Sequence, residues 1–180
     1  MMVALDERRT ERLVLCRPRA SDLDDLVRYN QNERVMATLG GVRSRDDTRE
    51  YLDRQLDHWE RYGFGWWIVR EARTERFAGR GGLRHTTIEG RDEVEVGYGF
   101  LPEFWGQGLA TELASASVQV AFGELRLVDL VAFTLPSNRA SRSVMEKVGF
   151  RYERELMYAD VPHGLYRLTA STWRSGDAND

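Results

Sequence analysis

Hydrophobic and polar residues change their period several times along this chain, and each change marks an element. Residues 12–18 (RLVLCRP) alternate apolar and polar positions, as a half-buried strand does. Ser21 then reads as a helix cap, with Asp24 favouring the open amides of the first turn. Leu23, Leu26 and Val27 share one face of that helix, which fades near Asn32. A second helix is predicted from Ser44, with Leu52, Leu56 and Trp59 at helical spacing, and Tyr62 and Gly63 end it. Residues 66–70, 77–88 and 93–101 read as three strands of an antiparallel meander, joined by short polar turns.

After Pro102 the texture changes. Residues 106–108 form a glycine-flanked loop, and residues 109–122 are alanine-rich with a helical pattern. Residues 127–135 (LVDLVAFTL) are nearly continuously apolar, the mark of a strand covered on both faces. A short helix over 137–148 follows, then a final strand pair over 150–158 and 165–173. The predicted order is strand, two helices, three strands, helix, strand, helix, two strands: an α/β arrangement around one sheet. Nothing divides the chain, so residues 1–174 are expected to form one domain, with 175–180 a disordered tail.

Composition narrows the picture. The chain has 180 residues, 42% of them hydrophobic and 11% aromatic, enough for a real core in one domain. A net charge of -3 argues against broad, non-specific nucleic-acid binding, which needs a basic surface. No apolar run approaches the roughly 20 residues of a membrane span. The first residues lack the basic-then-apolar layout of a signal peptide. The single cysteine, Cys16, cannot close an internal disulfide, and Cys/His spacings for a metal are absent. A soluble cytoplasmic protein, possible as a homodimer, with no metal, is the expectation.

The chemistry concentrates at residues 98–111 (YGFLPEFWGQGLAT), where a strand ends, the chain turns through small residues and a helix begins. The first turn of a helix offers unpartnered amides and the positive end of the macrodipole, which together make an anion site. Gly106 and Gly108 allow backbone to approach an oxygen-rich ligand, and a pyrophosphate fits. A tight turn whose glycines only supply unusual φ angles is the competing reading. The loop is neither a Walker A loop nor a G-x-G-x-x-G fingerprint, lacking the lysine of one and the spacing of the other.

A second motif changes the balance: Asn138, Ser141, Glu146, Lys147, Gly149 and Phe150 stand as N-x-x-S followed by E-K-x-G-F. With Trp105 to Ala110 (WGQGLA) as the [Q/R]-x-x-G-x-[G/A] cofactor loop, the chain resembles the GNAT N-acetyltransferases. Its resemblance is to their RimJ/RimL-like branch, over roughly residues 10–173. Trp105 departs from the superfamily's Gln or Arg but is usual in that branch.

The resemblance implies a mixed sheet of about seven strands with helices on both faces and a V-shaped splay between the fourth and fifth strands. It implies acetyl-CoA as co-substrate: Phe100 and Leu101 contacting the pantetheine arm, Gln107, Gly108, Leu109, Ala110 and Thr111 around the pyrophosphate, and Asn138 near the cofactor. Asn138 is equally suited to a helix cap. The acceptor is an amine, either a protein N-terminus or a small molecule. Attack of a neutral amine on a thioester needs a base, an oxyanion stabiliser and an acid for the leaving thiolate. Glu95, on the strand into the cleft, is the candidate base, and Glu93 shares its face. Both could instead be partners of strand arginines. Many members carry an acidic tyrosine seven residues after the Asn. Here Met145 stands there, and Ser141 is the candidate substitute, with packing as its other reading. A non-catalytic acyl-CoA-binding module is the alternative function.

Overall fold

The computed structural model describes residues 5–176, so residues 1–4 and 177–180, including most of the expected tail, lie outside the described residues. An eight-stranded mixed sheet organises the molecule: β1 (Glu7–Arg9), β2 (Leu13–Cys16), β3 (Trp66–Glu71), β4 (Phe77–Ile88), β5 (Arg91–Phe100), β6 (Asp129–Thr134), β7 (Arg151–Tyr158) and β8 (Val161–Thr169). Their spatial order is β1-β2-β3-β4-β5-β6-β8-β7. Helices α1 (Leu23–Asn30), α2 (Glu33–Met36) and α3 (Arg45–Tyr62) precede the meander β3–β5, and α4 (Leu109–Gln119), α5 (Arg139–Val148) and α6 (Ala170–Gly176) come after it.

The expected fourth and fifth strands are β5 and β6, because the short charged strand β1 carries no apolar alternation to betray it. They are parallel, and one register pair joins them, Glu95 with Val131. Beyond that pair they part. The long antiparallel ladder of β5 with β4, by contrast, runs unbroken from Ile88↔Arg91 to Gly79↔Phe100.

Both faces of the sheet are covered. A Cβ at Gly81 would meet Leu113 of α4, whereas one at Gly97 would meet the Trp66 ring and one at Gly99 the Tyr29 hydroxyl of α1. Helix α4 therefore lies on one face and α1 on the other. Val131 is fully buried, so the apolar strand β6 serves the core, in a satellite cluster with Ile88, Leu156 and Leu165.

Three local readings are corrected. Ser21 does not cap: residues 20–22 form a 3₁₀ turn, and the Asp22 carboxylate accepts the Arg19 amide at 2.7 Å, so α1 begins at Leu23. Helix α2 is a single turn after Asn32, whose side chain accepts the Val35 amide at 3.2 Å, too short to show a period. The last strand begins at Val161 and ends at Thr169, because Ala159 and Asp160 turn the β7–β8 hairpin at positive φ and Thr169 and Thr172 hydrogen-bond each other at the start of α6. The second long helix follows its signals closely: Ser44 and Asp47 form a capping box, and Gly63, at φ 72, closes α3.

Candidate active site

The parting of β5 and β6 makes the site. Leu101 donates its amide to Ala78 of the β4 side at 2.8 Å, and the carbonyls of Gly97 and Gly99 also point toward β4, where a Cβ on Gly81 or Gly79 would meet them. Alternation in an antiparallel ladder then turns the backbone groups of Tyr98 and Phe100 the opposite way, into the V. The Phe100 carbonyl accepts the Trp105 indole N–H at 2.8 Å. Phe100 thus faces the cleft, while Leu101 is committed to the sheet.

Below the V, the chain passes through Gly106 at φ 73 and Gly108 at φ 78, and α4 starts at Leu109. No side chain fills this turn. A Cβ at Gly106 would meet nothing within 4 Å, and one at Gly108 only a guanidinium nitrogen of Arg12, at 3.6 Å. The first-turn amides of α4, at Leu109, Ala110 and Thr111, follow directly, so the cradle fits a pyrophosphate in shape and in charge. Arg12 reaches it from just before β2: it donates to the Gln107 carbonyl at 2.7 Å and to Glu112 of α4 at 2.8 Å. Burial alone would raise the Glu112 carboxyl, but hydrogen bonds from Thr10 and Arg12 hold it below its usual value. Its negative charge in the first turn is thereby matched by a cation beside the cradle.

Across the V stands α5. Asn138 caps it, accepting the Ser141 amide at 3.1 Å. Tyr98, unassigned from the sequence, donates to the Ser141 carbonyl at 2.9 Å and lies 3.1 Å from the Ser141 hydroxyl. Burial pushes the Tyr98 phenol up to about 12, with the Ser141 hydrogen bond opposing, so it keeps its proton at neutral pH. Met145 is buried. The readable signal for Tyr98 was its place two residues before Phe100, on a strand lining the cleft.

Glu95 is 6% exposed. Its Oε2 accepts Arg84 Nε at 3.1 Å and a closer contact from Nη2. Arg84 in turn stacks 4.8 Å over Trp66. Glu93 is held apart from Glu95 by a two-pronged pair with Arg167, which also binds Asp129 and Glu153. The structure therefore places the predicted residues in three groups: Phe100, Ser141 and Asn138 around the V, where Tyr98 joins them, the 106–111 turn beneath it, and Glu95 on the face opposite α4. His58, on α3, meets the backbone of β4 at His85. The His58 ring bridges the Phe64 carbonyl at 2.9 Å and the His85 amide at 3.0 Å. Cys16 ends β2, half-buried and free, its thiol pushed up by burial. Among the described residues no group of His, Cys, Asp and Glu could hold a metal ion, and no helix is long and apolar enough to cross a membrane.

Comparison with known proteins agrees with this geometry. The model of the acetyltransferase (GNAT) domain matches residues 12–151. An uncharacterized Bacillus subtilis protein, YkkB, is 32% identical over 132 residues, 73% of this chain and 77% of its own. The Aspergillus fumigatus FsC-acetyl coenzyme A-N(2)-transacetylase is 31% identical over 117 residues, 61% of this chain and 46% of its own length. The crystal structure of an Agrobacterium tumefaciens acetyltransferase superposes with TM-score 0.79 at 27% identity, covering 93% of this chain and 96% of that one. Other structures of this fold hold coenzyme A, and their named acceptors range from spermidine to a ribosomal protein. The splayed strands, the glycine cradle at the head of α4 and these likenesses together place the chain in the GNAT acetyltransferase family, with acetyl-CoA as its acyl donor.

Proposed function

We propose that this protein transfers an acetyl group from acetyl-CoA to a primary amine by direct attack within a ternary complex, in the manner of the RimJ/RimL-like branch. One observation carries the reading: β5 and β6 part after Glu95 and Val131 and leave the backbone of Tyr98 and Phe100 facing the V, directly above the open Gly106–Gly108 turn. The exposed backbone suits the pantetheine arm, and the turn with Gln107, Leu109, Ala110 and Thr111 suits the pyrophosphate. Such a frame supplies rate largely by holding amine and thioester together.

The remaining roles follow from position. Glu95 accepts the proton from the attacking ammonium, directly or through a water. Only its Oε2 is engaged by Arg84, which leaves Oε1 for that task. Amides of β5 facing the V stabilise the developing oxyanion. The Tyr98 phenol, on the strand that lines the cleft and hydrogen-bonded to Ser141, takes over the work that a tyrosine at position 145 does elsewhere in the family. Asn138 orders the first turn of α5, which carries Ser141. We place the protein in the cytoplasm, where acetyl-CoA and amine acceptors meet.

A second reading, an acyl-CoA-binding module without turnover, is favoured by the engagement of both candidate catalytic groups: Glu95 with Arg84 and Ser141 with Tyr98. Thiol release from acetyl-CoA against Ala- and Ser-initiated peptides, polyamines, aminoglycosides and amino acids separates the two. Release that depends on one acceptor class is the expected result. Silence across the panel, with CoA still bound by calorimetry, would favour the module.

A further inference from the structure

The face of the sheet opposite α4 carries a buried cation with no counter-ion among the described residues. Arg80, on β4 opposite Gly99, is 5% exposed and forms no ion pair among the described residues. Its one hydrogen bond is from Nη1 to the Tyr51 hydroxyl at 2.8 Å, and its Nε is buried without a partner. Its charge rests instead on three aromatic rings: the guanidinium carbon lies 4.7 Å from Tyr51, 4.7 Å from Trp66 and 5.1 Å from Tyr29. Cation–π contact of this kind stabilises a desolvated guanidinium without neutralising it.

Two more donors beside it are unpaired. The Trp66 indole N–H and the Tyr29 hydroxyl are both buried without partners, and Tyr29 lies so close to β5 that a Cβ at Gly99 would stand 2.0 Å from its oxygen. Gln55 Oε1 is the unpaired acceptor nearby, lining with Arg80 and Trp66 a void of about 10 Å³, room for a single water. Arg43 adds a second cation, stacked 5.8 Å from Tyr51. Burial and then the charge of Arg80 hold its guanidinium below the usual arginine value, as expected where positive charge is in excess.

This cluster borders the acceptor side of the V. Trp66 touches Arg80 on one hand and Arg84, the partner of Glu95, on the other. Arg80 and Arg84 sit opposite Gly99 and Glu95, four strand residues apart, roughly 14 Å of backbone at about 3.4 Å per residue.

Resting on the acetyltransferase reading above, we propose that the acceptor is an extended amine with an anionic far end, a carboxylate or a phosphate, one oxygen of which takes the single-water void beside Arg80 while Arg43 meets the rest and the amine faces Glu95. A planar guanidinium with free donors suits either anion. Short peptides with a free C-terminus and long-chain amino acids or aminoalkyl phosphates have this form.

Calorimetry on the CoA-loaded protein, using matched pairs, tests it: tri-alanine against its C-terminal amide, and aminopentyl phosphate against aminopentanol. The anionic member of at least one pair should bind at least about tenfold more tightly, and which pair responds tells carboxylate from phosphate. That preference should vanish in Arg80→Gln and shrink in Arg43→Gln, with CoA affinity unchanged in both. Should Arg80→Gln not fold, Arg80→Lys and Arg43→Gln carry the test, since Lys keeps the charge but loses the fork. Equal binding within every pair, a preference that survives these substitutions, or no binding of any of the four would overturn the proposal. Acetylation of amines in the thiol-release assay would stand regardless. Failure of that assay with the anion preference intact would instead count against the transfer reading alone.

Discussion

The two faces of the central sheet solve different recognition problems with different materials. On the α4 and α5 face, binding capacity resides in backbone: amides turned into the V, glycines at positive φ and the open first turn of a helix. The α1 and α3 face instead presents side chains, with arginines laid on aromatic rings and carboxylates bound to some of them. Backbone cradles demand particular residues at particular spacings, so they recur as motifs. A side-chain box can be assembled from many positions on many elements, and each protein can build its own. The contrast suits an enzyme with a constant donor and a private acceptor.

Substitutions can break either half without the other. The largest effect is expected on the side-chain face: Glu95→Gln should lower kcat by roughly a thousandfold, the upper-middle range for loss of a general base, and change its pH profile. CoA affinity should hold. A wild-type rate would leave Glu95 as the partner of Arg84 only.

Next comes the backbone face. Gly108→Glu should weaken CoA binding by at least about a hundredfold, since each tenfold is about 1.4 kcal/mol and a carboxylate would oppose the pyrophosphate. The fold should survive, because only Arg12 stands near a Cβ there, although the positive φ of 78 costs a residue other than glycine about 1–2 kcal/mol. Calorimetry and a thermal melt read the two consequences separately. Tyr98→Phe should lower kcat by roughly tenfold to a hundredfold if the phenol serves the departing thiolate. Unchanged turnover would restrict Tyr98 to holding α5 against β5. Arg12→Ala should cost a fewfold in CoA affinity, about 1 kcal/mol for a cation at an exposed helix start.

The smallest effect concerns the outer edge of the acceptor face. Burial first, with His85 and Arg84 assisting, lowers the His58 pKa below 6.5, while the hydrogen bond to Phe64 opposes. The unfolded chain therefore takes up this proton first. The contribution of His58 is fully present above pH 6.5 and is lost as the pH falls through its folded value. The melting temperature measured between about pH 5 and 8 should fall on the acid side, and less steeply in His58→Gln.

The same contrast explains what could be read in advance. Helix α3 was legible from Ser44 to Gly63 because both of its ends carry local capping chemistry. The glycine cradle was legible because positive φ at Gly106 and Gly108 is a demand on residue type. Strand β1 was not, since a three-residue strand of charged residues has no period and exists only through its pairing with β2. The commitment of Leu101 to Ala78, and hence the turning of Phe100 rather than Leu101 into the V, depends on ladder phase, which no single strand contains. Tyr98 stood in the quoted motif without a role, because its partner Ser141 is 43 residues away.

By itself, then, the sequence determined the α/β class, both ends of α3, the place of the glycine turn before α4 and the family, all of which rest on local periodicity or on residues with obligatory backbone geometry. Tertiary structure decided which carboxylate would be tied to which arginine, since Glu93 and Glu95 stand two residues apart on one face of β5 and meet different arginines in space. It also decided that Arg80 would be buried without a counter-ion among the described residues. Charge pairing is a matter of through-space distance and burial, and a linear chain specifies neither until it folds.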